Sequence, residues 1–424
     1  MSILNRIGAA LTPFHLSYLG VLTIVICLGP HFKAPVSIAM GLIGAGALWE
    51  LVRTRKFELL VSDRQGVLMT LWFVLSLVSF CYTANMALGL NELRMKLVFL
   101  CLPLAINVVP TYSKRNFHIL AFIFILVQTL VAVPSVVTYL LDFEASNLSI
   151  RRNKPIHIVT GASHIYFSVG LAFSIFMGIG MWVERVRLWS RYDRYIILLL
   201  VILNVASLHI FTSRTGLLAF YAGLGGTVLY FLYRRRAYLW GILILVLLLS
   251  SPFIWYHTIP SFRHRMDVTM WDLKQYREGN DLTHCSASIR LVAWESAWNI
   301  FKESPLMGVG MGDVEEEMER QYVKNQVLIR EGSRPGSPHN QYIEWLVGYG
   351  LIGLIISLLI LLYPLIFSTR KKSLLLVSFL LLFMAAMLTE SFLERQSGIV
   401  FYIFFLLFLR KYSEAKDEES HEKP

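Results

Sequence analysis

Residues Tyr256–His339 read YHTIPSFRHRMDVTMWDLKQYREGNDLTHCSASIRLVAWESAWNIFKESPLMGVGMGDVEEEMERQYVKNQVLIREGSRPGSPH, a polar and charged stretch of more than 80 residues. Apolar runs fill most of the chain on either side, and each is about long enough to cross a bilayer, which takes ~20 residues. A connection of this length usually has a function of its own. We therefore expect the functional site where this stretch meets the apolar helices.

The composition excludes a soluble globular protein. Of the 424 residues, 56% are hydrophobic and only 16% are charged, and the mean hydropathy is +0.58. This balance predicts an all-α integral membrane protein. The first apolar run has no small-residue cleavage site, so we interpret it as a retained helix and not a signal peptide. The net charge of +11 would suggest nucleic acid in a soluble protein, but here basic cytoplasmic loops explain it and no nucleic-acid partner is expected.

The apolar runs predict about 12 transmembrane helices and one large helical periplasmic loop. The runs fall at about 14–30, 34–52, 67–85, 95–110, 117–141, 163–183, 194–212, 215–233, 237–255, 341–367, 373–391 and 396–410. The chain then divides into helices 1–9 (residues 1–255), the loop (256–339), helices 10–12 (340–410) and a tail (411–424). The tail is charged from Glu414 onward, and we expect it to be disordered.

The distribution of lysine and arginine predicts the orientation. If the N-terminus is cytoplasmic, every cytoplasmic turn is basic, as the positive-inside rule requires. Both termini are then cytoplasmic and the long loop lies outside. The basic residues of these turns are Arg53, Arg55, Lys56, Arg64, Lys114, Arg115, Arg185, Arg187, Arg191, Arg194, Arg234, Arg235, Arg236, Arg370, Lys371 and Lys372.

A few basic residues lie on the outer side, where the positive-inside rule does not explain them. Arg151, Arg152 and Lys154 lie in the outer loop at about 142–162, Arg214 is in the turn Thr212-Ser213-Arg214-Thr215-Gly216, and Arg290 is in the long loop. One explanation is that these side chains snorkel from helix ends. The other is that they bind an anion, since guanidinium groups suit phosphate through bidentate bonds.

Two helices are expected inside the long loop. The segment Ser288–Phe301 has helical spacing, with Ile289, Val292, Ala293, Ala297, Ile300 and Phe301 on one face. Its tryptophans, Trp294 and Trp298, form an adjoining stripe, for which we favour plain packing over glycan stacking. Pro305 should end this helix. A second helix is expected from Asp313, with Glu316 three residues on in a capping-box arrangement.

His339 stands where the loop re-enters the membrane, after Pro338 and before an apolar run. A histidine here can act as a general base, although a lone histidine is more often a structural hydrogen-bonding residue. Together with Arg214 and Arg290 on the same side of the membrane, it suggests transfer from a lipid pyrophosphate. The arginines would stabilise the departing pyrophosphate, and the histidine would take a proton from the incoming hydroxyl.

The order of several short motifs resembles the O-antigen ligase and O-antigen polymerase superfamily. The motifs are Ser213-Arg214-Thr215-Gly216, Arg290 with Trp294, Pro305-Leu306-Met307-Gly308-Val309-Gly310, His339-Asn340-Gln341-Tyr342 and Gly350-Leu351-Ile352-Gly353. Each is degenerate alone, and their order and topology make the resemblance fairly specific between about Ser213 and Gly353. Some ligases have two adjacent histidines at the end of the loop, whereas this chain has Pro338-His339.

The resemblance implies an inverting, metal-independent glycosyltransferase of the bacterial inner membrane, without a cofactor and with its active site facing the periplasm. Its donor would be a glycan linked to undecaprenyl pyrophosphate, and its acceptor would be a sugar of the lipid A core. Membrane lipids would surround both substrates, and the reaction would belong to lipopolysaccharide biosynthesis. Carried over by motif, Arg214 and Arg290 bind the pyrophosphate and His339 activates the acceptor. Possible secondary site residues are Arg151, Arg152, His164 and Arg395.

Three alternatives remain open from the sequence. A polymerase of the same superfamily shares the leaving group and base and differs in its acceptor. A transporter suits ~12 spans, but the chain has no matching halves and no interrupted helices at equivalent places in them. A non-catalytic scaffold of an export complex would leave the coincidence of Arg214, Arg290 and His339 unexplained.

Overall fold

The computed structural model describes residues 33–108, 113–235, 238–367 and 373–421, and these form α-helices joined by turns and short 3-10 helices. The helices, in chain order, are α1 (Lys33–Thr54), α2 (Arg64–Phe80), α3 (Met86–Lys96), α4 (Val98–Val108), α5 (Lys114–Leu141), α6 (Phe143–Arg151), α7 (His164–Val183), α8 (Asp193–Phe211), α9 (Arg214–Arg235), α10 (Tyr238–Thr258), α11 (Pro260–Glu278), α12 (Ser288–Glu303), α13 (Val314–Lys324), α14 (Gln341–Ile366), α15 (Leu374–Ala386) and α16 (Gln396–His421). The all-α prediction is confirmed for the described residues.

Among the described residues, four helices are long and apolar enough to cross a membrane, namely α5, α7, α8 and α14. A fifth span is possible if the strongly bent pair α10 and α11 counts as one. Each predicted run from about residue 34 onward coincides with a helix, but the count of about 12 spans stays a prediction. The run at about 14–30 lies outside the described residues, as do Arg236, Arg370, Lys371 and Lys372.

Several polar segments are helical where the sequence suggested loop or disorder. They are α3, α6, α11 and the tail, whose helix continues to His421. Hydropathy misses such helices because they contain few apolar residues, but other signals mark them. The side chain of Asn85 caps α3, and Pro260 occupies the first turn of α11. The tail contains alanine, lysine and glutamate, which favour helix, so disorder was the wrong prediction up to His421.

The expected capping box at Asp313 does not form. Val314–Lys324 is helical as predicted, but the Asp313 side chain makes no cap hydrogen bond to it. Its carboxylate instead accepts hydrogen bonds from the backbone N–H groups of Ala84 and Asn85, at 2.7 Å each. A carboxylate that accepts hydrogen bonds from two backbone amides of another element is stabilised more than one that caps the first turn of its own helix. The residue therefore joins the loop to the start of α3.

The long stretch after α10 folds onto a small core of its own. α12 and α13 bury Val292, Ala297 and Ile300 against Met318 and Tyr322. The apolar face expected for Ser288–Phe301 is thus confirmed in its centre. The packing interpretation of the tryptophans does not hold for Trp298, which remains 49% exposed and lies beside Phe301 with ring centroids 5.1 Å apart.

Two glycines allow this loop to pack against α14. The Pro305–Gly310 segment pairs with the helix through bonds from Val309 N–H to the Val347 carbonyl (2.8 Å) and from Leu351 N–H to the Pro305 carbonyl (2.9 Å). α14 is broken at Gly350, whose φ is +66°. A Cβ at Gly350 would lie 2.3 Å from the Leu306 backbone, and one at Gly308 would lie 2.4 Å from the Val347 carbonyl oxygen. The motifs that contain Gly308 and Gly350 therefore form the two sides of one close backbone contact.

The helix ends gather the polar residues at one end of the bundle. α5 ends there, α7, α9 and α14 begin there, and the turn between α15 and α16 crosses the same end. At the turn between α8 and α9, Thr212 adopts a left-handed conformation with φ +52°. This turn directs the first residue of α9, Arg214, toward the helices of the long loop.

Candidate active site

Arg214 and Arg290 meet at Ser286. Arg214 donates from Nη1 to the Ser286 hydroxyl (3.0 Å) and from Nε to the Thr269 hydroxyl (3.0 Å). Arg290, in the first turn of α12, points Nη1 at the Ser286 carbonyl oxygen, 3.5 Å away. Burial lowers the pKa of Arg214 to about 10, and the charge of Arg265 adds to this effect while that of Asp272 opposes it. The two arginines singled out from the sequence are thus brought together.

A third guanidinium, that of Arg265 on α11, joins this pair. Its side chain is only 7% exposed, and it donates to the Asn153 side chain (3.2 Å) and to the Lys154 carbonyl oxygen (2.8 Å). Asn153 in turn accepts a bond from the Ser286 hydroxyl at 3.0 Å. Arg265 was missed from the sequence, although, like Arg290, it is a basic residue in the long loop that is predicted to lie on the outer side.

His339 is paired with a carboxylate that the sequence did not suggest. Its Nδ1 lies 3.2 Å from Oε1 of Glu390, which is 6% exposed in the turn between α15 and α16. Oε2 of Glu390 lies 3.9 Å from Nη2 of Arg290. Burial opposes the charge of Glu390, but its bond to His339 and the charges of His339, Arg290 and Arg395 hold its pKa below the ordinary value. Glu390 therefore links the histidine to the arginines.

The cluster contains polar atoms without a hydrogen-bond partner among the described residues. They are Nη2 of Arg214, Nε of Arg265, Nε of Arg290 and Oε2 of Glu390. The three guanidinium groups face only two carboxylates in ion-pair range: Asp272 lies near Arg214, and Glu390 lies near Arg290. Buried donors that lack a partner and carry excess positive charge suit an anionic ligand.

Residues 196–358, from α8 into α14, match a family model described as O-antigen ligase. This segment contains Arg214, Arg265, Arg290 and His339. This segment is similar to the O-antigen ligase family. It is also 30% identical over 157 residues to an uncharacterized protein of Haemophilus influenzae. That alignment covers 34% of this chain and 39% of the relative, so the chain matches well under half of that protein's length.

The secondary site residues lie at two different places relative to Arg214, Arg265 and Arg290. His164, the first residue of α7, lies within electrostatic range of Arg214, Arg265 and Arg290. Arg395 exerts the same kind of influence on Glu390. Arg151 and Arg152 are exposed, and Arg151 contacts His264 at 3.3 Å. The charges of the three arginines thus act on His164 and that of Arg395 acts on Glu390, while Arg151 and Arg152 form a more exposed basic edge.

No group of three or more histidine, cysteine, aspartate or glutamate side chains comes together as a metal site within the described ranges. The acidic groups nearest the arginines, Asp272 and Glu390, are already engaged. Asp272 accepts hydrogen bonds from Asn153 and from the Ala287 N–H, and Glu390 contacts His339. That the reaction needs no metal remains a prediction.

Proposed function

We propose that this protein is an O-antigen ligase, an inverting, metal-independent glycosyltransferase. It moves a glycan from undecaprenyl pyrophosphate to a hydroxyl of a lipid A core sugar at the periplasmic face of the inner membrane. The observation that carries the proposal is the chain His339–Glu390–Arg290, which puts a base next to three guanidinium groups. The family match supports the general class, and the donor and acceptor follow from the resemblance.

The arginines serve the leaving group. The bond between the anomeric carbon and the pyrophosphate oxygen breaks with its electron pair on that oxygen, so negative charge grows on the phosphate. Arg214, Arg265 and Arg290 stabilise this charge through donors already fixed in a buried site, which costs little reorganisation during the reaction. The pyrophosphate leaves as an anion and needs no proton.

His339 serves the acceptor. A carboxylate only accepts hydrogen bonds, so Nδ1 of the neutral ring carries the proton shared with Glu390. Nε2 then holds the lone pair and takes the proton of the acceptor hydroxyl as its oxygen attacks the anomeric carbon from the face opposite the pyrophosphate. Attack from that face inverts the anomeric configuration. Glu390 stabilises the imidazolium that forms, as the carboxylate does in a hydrolase triad.

A transporter remains the rival from a different class. Such carriers often contain broken helices at equivalent places in two halves. The breaks found among the described helices, at Gly350 and at the 101° bend between α10 and α11, both lie in the C-terminal half of the chain. In the described part of the chain, α10 and α11 are the one helix pair that is apolar enough to form a broken span, so no second broken span repeats it in the N-terminal half, which favours the enzyme.

The test is a transfer assay with purified protein, an undecaprenyl-pyrophosphate-linked glycan and a chelator, using lipid A core or a second lipid-linked repeat as acceptor. Product on the lipid A core alone supports the ligase, and polymer on the lipid-linked acceptor alone makes the protein a polymerase. Loss of activity only on adding chelator would contradict the metal-free mechanism. His339→Ala should abolish transfer, and substantial transfer by that folded variant would rule out the base assignment. Absence of product with both acceptors would favour the transporter.

A further inference from the structure

A lysine is buried at the end of α3, beneath the turn that carries Glu390. The side chain of Lys96 is 2% exposed and forms an ion pair with Glu394. Its ammonium group also donates to the Leu393 carbonyl oxygen at 2.8 Å. An ammonium group is expensive to bury, and a hydrophobic pair of similar volume often gives equal or greater stability. The fold therefore keeps this charge at a cost.

The same turn is held from a second side by the start of α14. Gln341 donates from Nε2 to Oε1 of Glu394 (2.7 Å), and its own Oε1 accepts from the Leu393 N–H (2.6 Å). Three residues on, Glu344 accepts a bond from the Ser391 hydroxyl at 2.9 Å. The turn is thus attached by side chains on both flanks of Phe392, between α3 and α14.

His339 and Glu390 depend on this attachment for their relative position. The N–H of Gln341 donates to the Met387 carbonyl oxygen (2.9 Å), and the Asn340 side chain donates to the Leu388 carbonyl oxygen (3.0 Å). Both bonds lie just before Glu390 in the chain. The bonds made by Lys96 and Gln341 lie just after it, so Glu390 is fixed between two sets of anchors.

The turn has little structure of its own to hold it. The 3-10 helix Phe392–Glu394 has three residues, and its hydrogen bonds are long, with Glu394 N–H to Ser391 O at 3.3 Å and Arg395 N–H to Phe392 O at 3.4 Å. Short 3-10 turns are weakly bonded and depend on their surroundings. Lys96 and Gln341 therefore supply the polar anchors of the turn on the side of Glu390 that leads into α16.

We propose that Lys96 is a positioning residue for the transfer reaction, acting through Glu394 and the 390–394 turn to hold Glu390 against His339. This inference rests on the proposed function, because it assumes that the Glu390–His339 contact matters for catalysis. Lys96 lies far from His339 in sequence, at position 96 against position 339, and outside the segment that matches the O-antigen ligase family. A shift of about 1 Å in a catalytic group can cost on the order of a hundredfold in rate.

The experiment compares kcat and donor KM of the double variant Lys96→Met/Glu394→Gln with the wild type. Removing both charges together avoids leaving either member of the Lys96–Glu394 pair buried alone, so the double variant should fold. We expect kcat to fall about tenfold or more, with KM changed less than about twofold, because the pyrophosphate site is untouched. Unchanged kcat in the folded double variant overturns the inference.

Two further variants make the result specific. Arg94→Met removes an exposed cation from the same helix, with no ion pair to a described carboxylate, and should leave kcat unchanged. If the double variant does not fold, Gln341→Met tests the same turn while keeping the Lys96–Glu394 pair, and unchanged kcat there overturns the inference. Inactive His339→Ala beside a fully active double variant refutes this inference alone, whereas active His339→Ala refutes the proposed function and this inference together.

Discussion

At the scale of single residues, the site could be predicted only in part from the sequence. Arg214, Arg290 and His339 were identifiable because each is a basic or titratable residue at or near a helix end on the predicted outer side. Glu390 gave no such signal, since acidic residues at helix ends are common and its partner is 51 residues away. Arg265 was hidden among the other charges of α11. Burial is what distinguishes Glu390 and Arg265 from other charged residues, and burial cannot be read from the sequence.

Arg265 provides the residue-scale prediction. We expect Arg265→Lys to lower kcat/KM for transfer by about tenfold or more, because an ammonium group lacks the planar fork whose Nη1 and Nη2 donate to Asn153 and to the Lys154 carbonyl at once. The matched control is Arg263→Lys, two residues away on the exposed side of α11. Steady-state kinetics on both variants measures the effect. Equal activity of the two variants would show that Arg265 only holds α11 against the loop after α6, which contains Asn153 and Lys154.

At the scale of elements, hydropathy located the apolar helices well and the polar ones poorly. The runs after residue 34 coincide with helices because twenty apolar residues have few alternatives to helix in a membrane. α3, α6 and α11 are stabilised by caps and tertiary contacts that hydropathy does not measure. The break in α14 at Gly350 could not be predicted from hydropathy either, because Gly350-Leu351-Ile352-Gly353 continues an apolar run that no polar residue interrupts.

Gly350 provides the element-scale prediction. Gly350→Ala places a Cβ at φ +66° and 2.3 Å from the Leu306 backbone, so either the break in α14 or the Pro305–Gly310 segment must shift. We expect destabilisation on the order of 1–3 kcal/mol, seen as a lower thermal midpoint in detergent, and a loss of transfer. Gly180→Ala in α7 is the control, because its Cβ meets nothing within 4 Å. Equal midpoints for both variants would mean that the glycine contact is not required.

At the scale of the whole molecule, the gathering of helix ends explains how distant residues form one site. Arg214, Arg290, His339 and Glu390 come from four different parts of the chain, yet each lies at or beside a helix end on the same side of the bundle. The sequence predicted this for Arg214, Arg290 and His339, since these three lie between apolar runs on the predicted outer side, whereas Glu390 falls within the run at about 373–391. The number of spans was less accessible, because short helices such as α4 and α15 fall below the length that crosses a bilayer unaided.

Cysteine labelling tests the orientation on which this arrangement depends. In a background with all cysteines replaced by serine, Arg151→Cys and Arg187→Cys put single exposed thiols on α6 and on the turn between α7 and α8. If the site faces the periplasm, a membrane-impermeant maleimide should label Arg151→Cys in intact spheroplasts and Arg187→Cys only in inverted vesicles, because α7 separates the two positions. The reverse pattern would place the arginine cluster on the cytoplasmic side. A periplasmic acceptor could not reach it there, so the proposed transfer would be excluded on geometry alone.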